Sequence, residues 1–482
     1  MSLPPLNKPF CGARSHAGLS RRELALGAAV LAATSASPVS AALSSRPNVV
    51  FIMADDLGYA DLSCYGRRDY ETPNIDRLAA QGLKFEQAYA NSAVCSATRV
   101  ALITGRYQYR LPIGLEEPLQ GRDIGLPPEA PTLPAKLKTV GYRTALIGKW
   151  HMGALPKYGP LLSGYDHFWG FRGGGLDYFT HQFDPAHPDL WDDDTPVKTE
   201  GYLTDLIGDR AISVLEAYST KADPFFLSLH FNAPHWPWEG PEDEAAAQRI
   251  AKSPNPLAIY DFDGGSMKTY GEIVARLDLQ VGRVMDALAR LGLEHNTIVV
   301  FTSDNGGERF SDTWPLNGKK GELLEGGIRV PAIIRWPAEI SAGQVSQAVA
   351  MTMDWAPTFL KAAGVSASDF ETDGIDLSSA WNGVESGERT VFWRFRGLGQ
   401  EACRSGDLKY LKIAGNTFLF NVKDDPQERA NLKRLQPEAY ARLTTGFNAW
   451  NATMLPEDPA ASTYIQPGNL FADRYGNPSH PD

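Results

Sequence analysis

The sequence predicts an α/β fold in which a large mixed, mostly parallel sheet is sandwiched by helices and followed by a small C-terminal antiparallel-sheet subdomain. Two observations carry this expectation. Short β-rich runs that are apolar on both faces recur through the first four fifths of the chain with helical patterns between them, as central parallel strands require. From about residue 386 the texture changes to short strand-like pieces separated by turn residues. With 482 residues and a hydrophobic content of 43%, the chain is long enough to bury a sizeable core.

Before the first strand, residues 1–42 read as an export signal. Ser20-Arg21-Arg22 precedes an apolar stretch from Leu24 to about Ala33, and Val39-Ser40-Ala41 resembles a signal-peptidase site. The apolar run is too short to span a bilayer, and the paired arginines point to twin-arginine export, the alternative being an ordinary secretory signal that happens to contain Arg-Arg; on either reading a periplasmic or secreted protein is expected. Arg46-Pro47-Asn48 then opens the first strand, Val49 to Met53. Thr144 to Ile147, Phe225 to Phe231 and Thr297 to Thr302 have the same character. Between them, Ile273, Leu277, Val281, Val284, Leu288 and Leu291 fall on one helix face, with Gly292 placed as a C-terminal cap. These elements assign 46–385 to the main domain. The C-terminal subdomain, 386–482, holds strand-like pieces Thr390 to Phe395, Leu408 to Ile413 and Thr417 to Asn421, a helix around Pro437 to Trp450, and a Pro/Asn/Asp-rich tail.

Acidic residues outnumber basic ones by 57 to 46, for a formal net charge of −11, and no basic run tracks a nucleic-acid backbone. Any anion must therefore be bound by cations gathered in one pocket. Cys11 leaves with the leader, while Cys64 and Cys403 either pair or stay free. There is no Cys/His cluster for structural zinc.

The chemistry collects after the strands. The first runs into Asp55-Asp56, the second into Gly148-Lys149-Trp150-His151, the third into Asn232-Ala233-Pro234-His235 and the fourth into Ser303-Asp304-Asn305-Gly306. In open α/β sheets ligands bind beyond the carboxyl ends of strands, so the four clusters converge on one rim. Singly, Asp-Asp and Asp-Asn-Gly are ordinary turn formers. Jointly, Asp55, Asp56, Asp304 and Asn305 make an all-oxygen shell suited to calcium or magnesium. In Ala93-Val94-Cys95-Ser96-Ala97-Thr98-Arg99, the cysteine stands just ahead of a helical segment, where backbone N–H groups favour an anion, and Arg99 projects on the same face. Taken alone, that pattern fits a small buried cysteine beside a surface arginine much better.

The segment Cys95 to Gly105 resembles the formylglycine signature of the type I sulfatase family, C-x-[P or A]-x-R followed by an apolar pair, Thr and Gly, with Ala97 at the position more often held by proline. Gly141 to His151 is similar to a second signature of that family, and Gly318 to Pro331 to a third stretch that places its sulfate-binding lysine at Lys320, five residues before Glu325. The resemblance runs from about Arg46 through the C-terminal region. It implies an alkaline-phosphatase-like fold, a maturation enzyme that oxidises Cys95 to formylglycine, one Ca2+ held by Asp55, Asp56, the residue at 95, Asp304 and Asn305, and hydrolysis of a carbohydrate or aryl sulfate ester. Arg99, Lys149 and Lys320 are then the cations around the sulfuryl group, His151 the base and His235 the general acid.

Two rivals remain at this level. One is a phosphomonoesterase or phosphodiesterase of the same superfamily, against which the missing extra His and Asp zinc ligands argue. The other is a non-catalytic sulfated-glycan binder with an unmodified Cys95. Arg172, Asp177 and the Asp192-Asp193-Asp194 run are candidates for the outer pocket, and Trp236, Trp238 and Trp314 serve a ring or simply pack.

Overall fold

In the computed structural model, residues 46–463 are described, apart from 120, 121, 185, 256 and 382–387. The 1–42 leader and the boundary expected at 385/386 lie outside the described residues. Four strands form the centre: β1 (Asn48–Ala54), β2 (Arg143–Lys149), β3 (Phe225–His230) and β4 (Thr297–Ser303). They coincide with the four apolar runs and lie side by side in the order β4-β1-β3-β2, all parallel. The ten-stranded sheet continues outward from β2 through His167–Phe171 and two short strands. Beyond β4 it is closed by Ala332–Arg335, Leu83–Phe85 and Gln344–Ser346, with antiparallel pairing at β4 making the sheet mixed.

Alternation along each strand splits the core into two layers. Val50, Ile52, Leu227, Leu229, Val299 and Phe301 belong to one buried cluster, and Val49, Phe51, Met53, Phe226, Ile298 and Val300 to the other. Both faces are therefore covered, and every residue of β3 and β4 is buried. Helix α1 (Cys95–Thr104) covers the second face, and α2 (Met267–Arg290) the first. In α2 the predicted stripe Ile273, Leu277, Val281, Val284 and Leu288 has no solvent exposure. Ser266 caps its start by accepting from Thr269 N at 3.0 Å, and Gly292, at φ +69, follows Leu291 at its end.

The C-terminal sheet has four antiparallel strands rather than the three read from sequence, the addition being Gln400–Ser405 between Thr390–Phe395 and Leu408–Ile413. Its sequence, QEACRS, lacks the apolar alternation of its neighbours, and backbone pairing on both sides holds it in place. The sheet is joined to the main sheet's loops by a buried ion cluster. Lys409 Nζ lies 2.9 Å from both Glu325 Oε1 and Glu428 Oε1, all three side chains having no exposure, and Tyr89 donates to Glu325 Oε2 at 2.6 Å.

Burial alone would raise the Glu325 carboxyl, but Lys409 and Arg329 bring it down to about 2, whereas burial pushes Glu428 up to about 7. A raised folded-state carboxyl stabilises the fold below its unfolded value and loses that contribution as pH rises through 7. Glu428→Gln fixes the neutral form. The unfolding free energy of E428Q in urea titrations is therefore expected to gain on wild type between about pH 5 and about pH 8, by on the order of 1–3 kcal/mol; a pH-independent difference would contradict the assignment.

Candidate active site

Strand register sets the site. Ala54 pairs with Ser303, Met53 with His230 and His230 with Gly148, so Asp55, Asp304 and Lys149 leave the sheet at one edge. The chain turns sharply there: Asp56 has φ +65, and its N–H donates to Asp304 Oδ1 at 3.2 Å. Ser303 Oγ accepts from Leu57 N at 3.0 Å and donates to Asn305 O at 2.9 Å, tying the first and fourth strand ends together.

Cys95 is the first residue of α1, whose ten residues are all buried. Its Sγ donates to Asp55 Oδ1 at 3.3 Å and lies 3.7 Å from Asp56 Oδ1. Burial, with Asp304 and Asp55 close by, pushes the thiol well above its ordinary value. One turn on, Arg99 donates through Nε (3.1 Å) and Nη2 (2.7 Å) to Asp304 Oδ2, and through Nη1 to Lys149 O at 3.3 Å. Lys149 Nζ donates to Asp55 Oδ2 and Lys320 Nζ to Asp56 Oδ2, each at 2.7 Å. Asn305 Nδ2 donates to Asp56 Oδ1 at 2.7 Å. His235 Nδ1 sits 2.8 Å from Trp236 O, and Nε2 3.6 Å from Asp56 Oδ2. His151, at φ +52, is buried with neither ring nitrogen hydrogen-bonded.

The residues singled out from sequence as metal or sulfate ligands thus interlock, acid against base. Asp55, Asp56 and Asp304 face Arg99, Lys149 and Lys320, and none of these side chains is more than 4% exposed. Asp55 is pushed up to about 7, because burial and the neighbouring Asp304 and Asp56 outweigh Lys149 and Arg99. Asp304, despite its burial, is held below the usual range by Arg99 and Lys149. Burial, Lys149, Arg99 and Lys320 hold His151 well below 6.5, while burial, Lys320 and Lys149 do the same to His235, so both are neutral near pH 7.

A hard divalent cation fits this donor set. Asn305 Oδ1 is buried without a hydrogen-bond partner, and Asp55, Asp56, Cys95 and His235 offer ligand atoms within 4.8 Å of one another. The carboxylates and the amide oxygen match calcium chemistry.

Some residues were not anticipated. His230, the last residue of β3, contacts Arg99 Nη1 at 3.2 Å through Nδ1 and Ser228 Oγ at 2.8 Å through Nε2. Burial and Arg99 bring it down to about 3, so it supports Arg99 as a neutral group. The Gly173-Gly174-Gly175 run, legible as a run in the sequence, lies against both site histidines. A Cβ on Gly174 would stand 2.8 Å from His151 Cε1 and Nε2, and one on Gly175 2.7 Å from the Trp236 ring. The outer-pocket candidates do not join the cluster. The Arg172 side chain bonds Asp194 Oδ1 at 2.9 Å and stacks on Trp191, and Asp177 Oδ1 accepts from Phe179 and Thr180 N–H groups. Trp236 and Trp238 are buried, while Trp314 is 66% exposed. Cys64 and Cys403 are both free.

The sulfatase family model matches residues 47–365, and the model for the C-terminal part of N-sulphoglucosamine sulphohydrolase matches 319–448. The chain belongs to the sulfatase family. It is a sulfuric ester hydrolase. The rat N-acetylgalactosamine-6-sulfatase is 32% identical to this sulfatase over 397 residues, covering 77% of this chain and 72% of that enzyme. Human arylsulfatase A is 34% identical over 366 residues, covering 70% and 68%. Among solved structures, Ps i-CgsB in complex with k-i-k-neocarrahexaose superposes with a TM-score of 0.78 at 30% identity, covering 89% of this chain and 98% of that one. Among the described residues, no helix of the sulfatase is long and apolar enough to cross a membrane.

Gly174 provides a test of how tightly the pocket is packed. Gly174→Ala forces His151 or its own loop to move, and a misplacement of this kind is expected to lower sulfatase turnover about 10- to 100-fold. The melting temperature should change little. Unaltered turnover would show that His151 has room to spare.

Proposed function

We propose that this sulfatase cleaves sulfate monoesters of a carbohydrate or aryl substrate at a formylglycine made from Cys95. One calcium ion is then held by Asp55, Asp56, Asp304, Asn305 and the residue at 95. The observation that carries the reading is the placement of Cys95 Sγ at a helix N-terminus, 3.3 Å and 3.7 Å from two aspartates, with three buried basic side chains in the same pocket. Similarity to an N-acetylgalactosamine-6-sulfatase and to arylsulfatase A supports both substrate classes. The Arg21-Arg22 leader supports export, hence a periplasmic or secreted enzyme matured by a formylglycine-generating partner. The same reading assigns 46–385 to catalysis and 386–482 to the smaller subdomain.

When present, the formylglycine hydrate supplies an oxygen nucleophile and calcium supplies Lewis-acid charge. The chain's own groups supply the rest. Lys149 and Lys320 present their ammonium groups to the sulfuryl oxygens, and Arg99 is clamped by Asp304 so that its charge stays fixed beside the nucleophile. His235 keeps Nδ1 against Trp236 O, which leaves Nε2 as the atom that holds the proton for the leaving oxygen. Burial, Lys320 and Lys149 keep that proton off, and an anionic ester between the two lysines would relieve the repulsion. His151, neutral and without hydrogen bonds on either ring nitrogen, takes the proton from the side chain at 95.

Protein co-produced with a formylglycine-generating enzyme should show the thiol-to-aldehyde mass loss on the peptide containing Cys95, and should release sulfate from a chromogenic aryl sulfate. Chelation should abolish turnover and calcium restore it, and Cys95→Ser should be inactive. An unmodified, inactive protein under these conditions would favour a non-catalytic glycan binder.

A further inference from the structure

A buried carboxylate outside the charged pocket ties together the two stretches of chain that carry Asp56 and Lys320. Asp61, in the segment that follows Asp55-Asp56, has no solvent exposure. Its Oδ2 accepts from Gly58 N at 2.7 Å and from Ser311 Oγ and Tyr270 Oη at 2.6 Å each, and its Oδ1 accepts from Arg67 Nη1 and Asp312 N at 2.8 Å each. Gly58 belongs to the turn after β1. Ser311 and Asp312 belong to the loop of residues 307–320, whose ends are closed by a hydrogen bond from Lys320 N to Gly307 O at 3.0 Å. Lys320 Nζ then reaches back to Asp56 Oδ2 at 2.7 Å, so the two stretches meet at the site as well as at Asp61. Between these points they touch directly. A Cβ on Gly58 would stand 2.0 Å from Ser311 Oγ and 2.8 Å from Asp312 O, one on Gly307 would stand 2.9 Å from Gly58 N, and Ala60 N donates to Asp312 O at 2.9 Å. The seam has no room for a single added methyl group.

An aspartate that merely forms a turn would accept from Gly58 N alone. Asp61 instead reaches across to a second loop. The Gly58 and Asp312 N–H groups and the Arg67 guanidinium can only donate, and between them they occupy both oxygens, so an asparagine could not replace it without turning its NH2 toward a fixed donor. We propose that Asp61 is a positioning residue of the sulfatase, which fixes Lys320 against Asp56 by locking the loop of residues 307–320 to the turn after β1. This rests on the reading of Lys320 as a ligand of the sulfuryl group. Tyr270 stands on α2, outside both stretches, and its bond to the same oxygen holds the helix and not the seam.

The test uses matured, calcium-loaded full-length enzyme and 4-nitrophenyl sulfate. Asp61→Asn sets a buried N–H against fixed donors and can unfold the chain, so the comparison is between two variants that each remove one 2.6 Å bond to Oδ2: Ser311→Ala cuts the link to the Lys320 loop, and Tyr270→Phe the link to α2. Both should lower the melting temperature, and both are assayed where they are folded. Ser311→Ala should lower kcat/KM about tenfold, whereas Tyr270→Phe should stay within about twofold of wild type. In a Lys320→Ala background, Ser311→Ala should change kcat/KM less than about twofold, because the bond acts through that lysine. Equal losses of kcat/KM in the two variants, or a Ser311→Ala loss that persists undiminished without Lys320, overturn the proposal and leave the sulfatase reading standing. Wild-type turnover in Lys320→Ala overturns the assignment of that lysine, and the proposal with it.

Discussion

The organising constraint is the burial of three acidic and three basic side chains in one pocket. Removing a buried ion's partner costs about 3–5 kcal/mol, so Asp55, Asp56, Asp304, Arg99, Lys149 and Lys320 must be placed to compensate one another. No single element supplies the set. The acids come from the ends of two adjacent strands, Lys149 from the end of a third, Arg99 from the helix that begins at Cys95, and Lys320 from a loop between β4 and the sheet's antiparallel edge. Strand register fixes the first four, and the Lys409 brace to Glu325 anchors the loop that carries the last. In this sense the C-terminal sheet belongs to the architecture of the site although none of its residues enters it.

The same constraint explains how the pocket serves an anionic ester. Lys149 and Lys320 are engaged by Asp55 and Asp56. In the proposed reaction Asp55 and Asp56 would hold a divalent cation, which would leave the Lys149 and Lys320 ammonium groups for the sulfuryl oxygens. Charge is exchanged between partners and never left bare, which suits a site whose histidines must remain neutral until substrate arrives.

Much of this was legible in the sequence. The four central strands, the α2 stripe with Gly292 and the convergence of four polar clusters follow from periodicity and from where ligands bind in parallel sheets. Residue roles rested on the resemblance around Cys95, Gly141 to His151 and Lys320, because isolated Asp-Asp or C-x-x-x-R patterns are ambiguous. What the sequence hid was tertiary. His230 reads as the end of a buried strand, and only the approach of Arg99 gives it a part in the site. Gln400–Ser405 lacks a strand signature because its place is set by ladders on both sides. The Glu325–Lys409–Glu428 cluster joins residues roughly a hundred positions apart, which no local pattern reveals.

Anomalous diffraction from crystals of the matured protein grown with calcium tests the exchange of charge partners most directly. The account predicts one peak bounded by oxygens of Asp55, Asp56, Asp304 and Asn305 and by the side chain at 95, with Lys149 and Lys320 no longer paired to Asp55 and Asp56. A pocket without a peak and with both lysine–aspartate pairs unchanged would contradict it, as would calcium bound only at the half-buried His167, Asp192 and Asp193 group on the sheet's outer strands.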